Sequence, residues 1–495
     1  MTTSKYQKAI YNEIEFGTHN ICVNAVAGSG KTTTSVQALS LIPSNAQSVF
    51  LAFNKAIVEE LKTRVSSPNA EIKTLHSAGF QVLMRTYRSK LNNYKYRKFL
   101  NDSIFLLTKE ITIDTNAEDI NQYKNRVLKL VDLARVNLAY EKNVIEAIAD
   151  KHEIDVEFDE IEVAQKLMQW GQNVYKEVDF TDMIWMPVVK DLKIQQYDFV
   201  FVDEAQDLNN CQRELMLKMI KPNGGRFIAV GDPKQSINGF CGADIESFNK
   251  LANLPNTVTL PLSVCYRCGK NIIESAKSIV PYIEANETSI NGEVRTVTDL
   301  TEVTESDMIL CRVSAPLVSV CMKFIAHGKP AYVKGKEIGS SLINLIKKTK
   351  QDDLMLMFDM LANELYKVAL KISKKEGVSV DEAKDDYAYI ALSDKIECLR
   401  ILSFGCSNSK DLMYRIEELF KDNSKGICLS TCHKSKGLEA DNVYVIAPDK
   451  LPLKRCMNVE WKAEQEMNLK YVTITRAKKV LNWVDCDIDK LKVTK

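Results

Sequence analysis

The stretch that most constrains how this chain can fold runs from Ile21 to Thr32. Ile21-Cys22-Val23-Asn24-Ala25 is apolar enough for a buried strand, and it leads through Gly28-Ser29-Gly30 into a helix starting near Lys31. A strand apolar on both faces must be covered on both faces, and the arrangement that does this is a parallel sheet with crossover helices. The same grammar recurs along the chain. Ser48-Val49-Phe50-Leu51-Ala52-Phe53 is followed by helical spacing from Ala56 to Arg64. Tyr197 to Val202 closes on Asp203-Glu204, and Arg226 to Val230 ends at Gly231-Asp232. Asp307-Met308-Ile309-Leu310-Cys311 and Val443-Tyr444-Val445-Ile446 read as further buried strands. Short apolar strands alternating with helices predict an α/β fold.

A chain of 495 residues is too long for one core, and at roughly 100–200 residues per domain it should hold about three or four. Two regions break the strand–helix alternation. Residues 82–178 are rich in Lys, Glu, Asn and Leu, with no glycine before Gly171, and residues 340–423 are again helical and charged. Both read as helical insertions. The expected organisation is a first core of residues 1–81 and 179–255, and a second of residues 256–339 and 424–495, each interrupted once.

A composition of 45% hydrophobic and 26% charged residues excludes a disordered or fibrous chain. No stretch approaches the ~18 consecutive apolar residues of a membrane helix. Met1-Thr2-Thr3-Ser4-Lys5-Tyr6-Gln7 has no apolar run behind its first lysine, so no secretory signal is expected. A cytoplasmic location without a membrane partner follows, nucleoid-associated in a cell or in the host cytoplasm for a virus. Lys plus Arg (66) nearly cancels Asp plus Glu (65), so any basic track for nucleic acid must be local. The 13 cysteines include one C-x-x-C, Cys265 and Cys268, but no second pair at zinc spacing and only five histidines. They read as buried, reduced thiols.

Two segments carry chemistry. In Ala25-Val26-Ala27-Gly28-Ser29-Gly30-Lys31-Thr32, successive backbone N–H groups and the helix N-terminus can cradle phosphates. Lys31 reaches the β/γ oxygens and the Thr32 hydroxyl ligates magnesium. The strict phosphate-loop pattern asks for glycine where Ala25 stands. In Val200-Phe201-Val202-Asp203-Glu204-Ala205-Gln206-Asp207, an apolar strand delivers Asp203 to the sheet edge, where it can hold the metal shell. Glu204 beside it can polarise an attacking water. Together the two segments predict an ATP or GTP hydrolase.

The D-E-A-Q-D string resembles the superfamily 1 helicases of the UvrD/Rep/PcrA-like branch, and further motifs of that branch follow in its order. Tyr6-Gln7 with Ala9 is similar to the N-terminal glutamine motif, Phe53-Asn54-Lys55-Ala56 to motif Ia, and Thr74-Leu75-His76-Ser77 to motif Ib. Asp179-Phe180-Thr181-Asp182 resembles the acidic signature before the D-E-A-Q-D strand. Gly231-Asp232-Pro233-Lys234-Gln235-Ser236-Ile237 resembles motif III, and Cys265-Tyr266-Arg267-Cys268 motif IV. Ser430-Thr431-Cys432-His433-Lys434-Ser435-Lys436-Gly437-Leu438-Glu439 resembles motif V, and Tyr471-Val472-Thr473-Ile474-Thr475-Arg476-Ala477 motif VI. The resemblance runs from residue 6 to about residue 480.

It implies two RecA-like cores with a helical insertion in each, the second reduced, and ATP and Mg2+ bound in the cleft between the cores. Lys31, Asp203, Glu204, Gln235, Arg267 and Arg476 would be the catalytic set, with Gln235 sensing the γ-phosphate and the arginines neutralising the transferring group. Gln7, Ala27, Gly28, Ser29, Gly30, Lys31, Thr32, Thr33, Tyr266 and Glu439 would line the nucleotide. Tyr266 would stack on adenine, Glu439 would accept from ribose or order the γ-phosphate site, and Thr32 and Asp203 would hold the metal. Phe53, His76, Phe240 and His433 would stack on single-stranded DNA, and Asn54, Lys55, Thr74 and Thr431 would hold its phosphates.

Some positions depart from the pattern. The aromatic and arginine usual near Asn238 and Cys241 are missing, which leaves Phe240 as the stacking platform of motif III. Met467-Asn468 replaces a basic pair, and Thr33 stands where arginine is common. The implied function is an ATP-dependent helicase and translocase moving 3′→5′ on single-stranded DNA and at single-strand/duplex junctions, in repair or replication. A DNA-stimulated ATPase without processive unwinding and an NTP-dependent switch for a protein partner are the alternatives.

Overall fold

The computed structural model describes residues 3–65, 69–108, 111, 115–152, 154–156, 159–237, 246–420 and 425–494. They form two compact units, Met1–Val26 with Gly30–Ser263, and Ala27–Ser29 with Val264–Lys495.

The first unit contains β1 (Asn20–Ala25), β2 (Ser48–Ala52), β3 (Ala70–Thr74), β4 (Lys90–Leu91), β5 (Glu177–Val178), β6 (Phe199–Val202), β7 (Arg226–Gly231) and β8 (Thr257–Leu262). Six of these make a sheet in the order β3-β2-β6-β7-β1-β8, every neighbouring pair parallel. The strands read as continuous apolar runs because both faces are core. Cys22, Val49, Leu51, Val200, Val202, Phe227 and Ala229 belong to one buried cluster. Their neighbours Ile21, Val23, Phe50, Ala52, Phe201, Ile228 and Val230 belong to another. At about 1.5–3 kcal/mol per fully buried large apolar side chain, this two-sided burial is the main local stabilisation of the sheet. β8 lies at the edge, where Pro261 leaves no central ladder bond missing.

Between β3 and β6 the chain is helical apart from the short parallel pair β4–β5. The helices are Leu75–Tyr87, Lys95–Leu107, Ala117–Asn137, Lys142–Lys151, Glu160–Asn173 and Asp182–Val189. The first of them crosses residue 82, so helix and expected insertion do not begin together. Gly79 lets the helix Leu75–Tyr87 lie directly on Asp182–Val189, because a Cβ there would sit 1.9 Å from the Met183 carbonyl oxygen.

The second unit holds the pair β9 (Val264–Cys265) and β10 (Glu284–Ala285) and a second six-stranded sheet. Its strands are β11 (Glu293–Val297), β12 (Met308–Cys311), β13 (Ala331–Lys334), β14 (Ile427–Thr431), β15 (Ala440–Ile446) and β16 (Ala477–Val484). The order is β11-β16-β15-β12-β14-β13, again all parallel. Two parallel sheets of six strands are the architecture of two RecA-like cores. Between β13 and β14 lie the helices Lys336–Thr349, Leu354–Glu376, Val380–Ala383, Tyr387–Ser403 and Ser409–Leu419. Among the described residues no helix is long and apolar enough to cross a membrane.

Candidate functional site

In a parallel sheet every strand ends on the same edge, and the order β6-β7-β1 sets three chain segments side by side there. β1 runs into the Gly28–Gly30 loop, β6 ends before Asp203 and β7 before Asp232. Gly28 (φ 66°) and Gly30 (φ 78°) occupy the left-handed region, which side chains disfavour, and Gly30 caps the helix Lys31–Leu39. The Ser29 hydroxyl is buried with no hydrogen-bond partner among the described residues, an exception to the rule that buried polar groups are paired.

Lys31 Nζ donates to both Glu204 oxygens at 3.1 Å. Burial alone would lower its pKa, but the carboxylates of Glu204, Asp203 and Asp232 outweigh burial and hold the ammonium above its ordinary range. Three carboxylates thus face one lysine. Burial, reinforced by the Glu204 charge, pushes Asp203 up to about 6. Burial does the same to Asp232, at about 6, against the pull of Lys31 and a 2.7 Å hydrogen bond from Gln235 Nε2. Glu204 itself is held at φ 52°, a conformation that costs a non-glycine residue about 1–2 kcal/mol and persists where the surroundings fix it.

The donor set fits magnesium. Thr32 Oγ1 and Asp203 Oδ2 are 3.5 Å apart, and neighbouring ligands of an octahedral ion with bonds of about 2.1 Å lie about 3.0 Å apart. Both are hard oxygens, and an added cation offsets the burial and the Glu204 repulsion that together raise Asp203. Among the described residues no group of three or more His, Cys, Asp or Glu could hold a metal, and Cys265 and Cys268 are buried free thiols.

Gln7 forms a capping box with Ser4 through its Oε1 (3.0 Å) and sends Nε2 to Thr34 Oγ1 (3.0 Å). An amide so engaged retains one N–H and one lone pair, the pair needed to read an adenine edge. Thr33 accepts from Arg64 Nη2 at 3.2 Å.

The other half of the same edge carries β2 and β3, where Ala52 stands in register with Thr74. Phe53, just beyond β2, is 47% exposed, so it is not the buried end of a strand. Asn54 Oδ1 caps the helix Lys55–Arg64 by accepting from Ile57 N, and Thr74 Oγ1 caps Leu75–Tyr87 by accepting from Ser77 N. Each therefore has a structural duty besides any phosphate contact, while Lys55 is exposed. His76 stacks on Phe180, ring centroids 3.9 Å apart and 18° from parallel, and burial lowers its pKa to about 4, so it is neutral at pH 7. Phe240, with Asn238 and Cys241, lies outside the described residues.

In the second unit Arg267 Nε meets Glu439 Oε2 at 2.6 Å and Lys478 Nζ meets Oε1 at 2.6 Å. Burial would raise Glu439, but these cations outweigh it and hold the carboxyl low. Tyr266, next to Arg267, is half-buried. Arg476 is 1% exposed, and its partners are the Val472 and Leu438 carbonyls and the Thr475 hydroxyl. None of these is a carboxylate. Burial, then repulsion from Arg267, lowers it to about 10, which still leaves it charged at pH 7. Thr431 ends β14 and accepts from Lys434 N at 3.3 Å. His433 is pushed down to about 3 by burial and by Arg312 and Lys434, so it too is neutral.

Sequence reasoning gave no role to several residues that organise these sites. Gln206, fully buried, accepts from Asp232 N at 3.0 Å and donates to Glu204, tying the two acidic segments together. Asp232 is the third carboxylate around Lys31. Phe180 was visible only as part of a signature. Arg312 and Glu466 form a buried ion pair with contacts of 2.6–3.1 Å, which fixes the helix Glu460–Ile474 leading to Arg476.

Comparison with known proteins places the chain. The model of the UvrD/REP helicase N-terminal domain matches residues 5–256, and that of the UvrD-like helicase C-terminal domain matches residues 426–484. The chain is 24% identical over 503 residues to F-box DNA helicase protein 1 of Schizosaccharomyces pombe, covering 93% of this chain and 55% of that protein. It is 25% identical over 535 residues to F-box DNA helicase 1 of Gallus gallus, covering 97% and 48%. With the ATP-dependent DNA helicase Rep of Buchnera aphidicola it shares 27% over 295 residues, covering 54% and 44%. The chain spans about half the length of these curated relatives.

Proposed function

Because this chain belongs to the UvrD/REP helicase family of superfamily 1, we propose that it is an ATP-dependent DNA helicase and translocase moving 3′→5′ on single-stranded DNA. The observation that carries the reading is the meeting of Lys31 with Asp203, Glu204 and Asp232 at one sheet edge, beside a loop with a buried, unpartnered serine hydroxyl.

In this reading Ala27, Gly28, Ser29 and Gly30 cradle the phosphates through backbone N–H groups, and Lys31 leaves Glu204 to bind them. Thr32 and Asp203 hold Mg2+, which when bound offsets the phosphate charge. Once released from Lys31, Glu204 can accept the proton of the attacking water. Gln235, hydrogen-bonded to Asp232, senses the γ-phosphate, and Gln7 and Tyr266 hold the base. Arg476, a buried cation whose hydrogen bonds go to neutral oxygens, suits a transferring phosphoryl group, and Arg267 and Glu439 trade their mutual ion pair for nucleotide contacts. Residues 82–178 and 340–423 act as insertion subdomains of the two RecA-like cores, whose coupling to hydrolysis moves the strand. Phe53, His76 and His433 contact bases, as does Phe240, while Asn54, Lys55, Thr74 and Thr431 contact phosphates. Both histidines are neutral at pH 7, so they offer ring faces rather than charge.

The test is ATP turnover with and without single-stranded DNA, together with unwinding of duplexes carrying a 3′ or a 5′ tail. Stimulation by DNA and preference for the 3′-tailed duplex are expected. Preference for the 5′ tail would overturn the polarity. Stimulation without unwinding of either substrate would leave a DNA-stimulated ATPase.

A further inference from the structure

Four residues before the D-E-A-Q-D strand hold two different environments within one turn. Asp179 and Asp182 close the turn on each other, Asp182 N donating to Asp179 Oδ1 at 2.7 Å and Asp179 N to Asp182 Oδ2 at 3.2 Å. Phe180 between them is 54% exposed and stacks on His76. Both carboxylates point into the helical region. Arg135, from the helix Ala117–Asn137 and 1% exposed, bridges them: Nη1 donates to Asp179 Oδ1 (2.9 Å) and Asp182 Oδ1 (2.8 Å), and Nη2 donates to Asp179 Oδ2 (2.8 Å). Lys95, from the helix Lys95–Leu107, donates to Asp182 Oδ2 at 2.7 Å and to the Gly171 carbonyl at 2.9 Å. Tyr96 donates its hydroxyl to Asp182 Oδ1 at 2.8 Å, and its ring lies 4.0 Å from the Arg135 guanidinium.

Two cations from two insertion helices thus saturate two aspartates of the core. A planar guanidinium meets both carboxylates with donors in a fixed fork, a bidentate geometry that a single ammonium lacks. The turn is fixed at both ends, leaving Phe180 one position. The helix that starts at Asp182 also lies against the helix carrying His76, through the close approach at Gly79. Moving Asp179 or Asp182 therefore moves Phe180 relative to His76.

We propose that Arg135 and Lys95 are positioning residues of the first helical region, which hold Phe180 against His76 as a preformed aromatic platform for a nucleobase of single-stranded nucleic acid. The proposal rests on the single-strand binding proposed above and names the part of the insertion that sets its geometry.

Two substitutions test it without deleting a ring. In Asp179→Asn the amide nitrogen faces Arg135 Nη2, donor against donor, and in Arg135→Lys the bridge is reduced to one point. His76 reports the stack without any DNA, because its low pKa comes from burial, and only five histidines need resolving by NMR in labelled protein. In both variants the His76 titration should rise from about 4 towards its ordinary 6.5, as it should in Phe180→Ala. Single-stranded DNA should bind about tenfold more weakly, the scale of one stacked base, while turnover without DNA stays at the wild-type level. In a Phe180→Ala background, Asp179→Asn should add no further loss of binding.

A folded Asp179→Asn or Arg135→Lys protein whose His76 still titrates near 4 would overturn the positioning role. Additive losses of binding in the double variant would show the network acting elsewhere than through Phe180, and would overturn it equally. Failure of the wild-type protein to bind single strands would instead remove the functional reading and with it the platform's ligand, and the His76 titration would still decide the positioning.

Discussion

Replacing Asp203 by asparagine should make the first unit more stable while abolishing its proposed chemistry. Asp203 is 4% exposed, and its oxygens are met by Glu204 N at 2.9 Å and the Thr32 hydroxyl at 3.5 Å. An asparagine can accept the first and donate to the second, so no polar atom is orphaned. A carboxyl moved from 3.8 to about 6 in the native state costs about 3 kcal/mol at pH 8, taking about 1.4 kcal/mol per pH unit. The sign follows from proton binding. Between those pH values the folded protein holds the proton and the unfolded chain does not, so this contribution to stability falls as pH rises and is regained on acidification. By pH 5 roughly half the cost has gone. Asp203→Asn should therefore gain about 3 kcal/mol at pH 8 and about half that at pH 5. Asp232 has a similarly raised pKa in both proteins and cancels from the difference. The assay is urea unfolding without nucleotide or metal, with Trp461 and Trp483 changed to phenylalanine so that Trp170 and Trp185 report the first unit. Equal stability at both pH values, or an asparagine variant less stable at pH 8, would refute the view of Asp203 as an undercompensated carboxylate.

Three further outcomes follow from the same geometry. Glu204→Gln removes the group proposed to take the water's proton but leaves Lys31 for phosphate, so ATP should bind with turnover down by at least about a hundredfold; near wild-type turnover would exclude the role. Arg476→Ala should lower maximal turnover far more than ATP affinity, because a charge placed for a transition state acts there, and titration of bound nucleotide separates the two effects. Asp182→Asn should do the reverse of Asp203→Asn, destabilising the first unit by about 3–5 kcal/mol in the same urea assay, since its amide would face Lys95 and leave that ammonium poorly paired.

Legibility in the sequence followed burial only in part, since the central and largely buried β14 was read as a motif and not as a strand. β1, β2, β6, β7, β12 and β15 were readable because each is apolar on both faces, and the ends of β1, β6 and β7 led directly to the glycine-rich loop, Asp203 and Asp232. β3 (A-E-I-K-T), β11 (E-V-R-T-V) and β13 (A-Y-V-K) were not, because they are edge-proximal and carry polar residues on their outer positions. Phe199–Val202 is shorter than the apolar run read from Tyr197, whose one bridge to Ile220 stands outside the strand. Candidate residues such as Lys31 and Arg476 could be proposed from the sequence because each stands inside a short local motif. Residues were not legible where the function is to hold another residue: Gln206, which donates to Glu204, reaches Asp232 across 26 positions, and Arg135 links Asp179 to its own helix across 44. No local spacing encodes such bridges, because they depend on which helices pack together.

Asp182 and Asp203 show why residue type and burial do not by themselves separate architecture from chemistry. Both are nearly or fully buried aspartates, and burial raises the pKa of both. What differs is the answering shell. Asp182 accepts from Lys95, Arg135, Tyr96 and Asp179 N, two of them cations within 2.8 Å. Asp203 accepts from its neighbour's amide and a distant hydroxyl, with Glu204 repelling it from the next position and Lys31, hydrogen-bonded to Glu204, offsetting this only in part. A saturated carboxylate has no orbital left to offer a ligand, and its removal strands the cations around it. An unsaturated one destabilises the resting protein and is relieved by whatever brings positive charge to it. Natural proteins retain such destabilising groups where function requires them. The opposite signs expected for Asp182→Asn and Asp203→Asn are therefore one argument, and measuring both in the same assay tests it without any knowledge of the substrate.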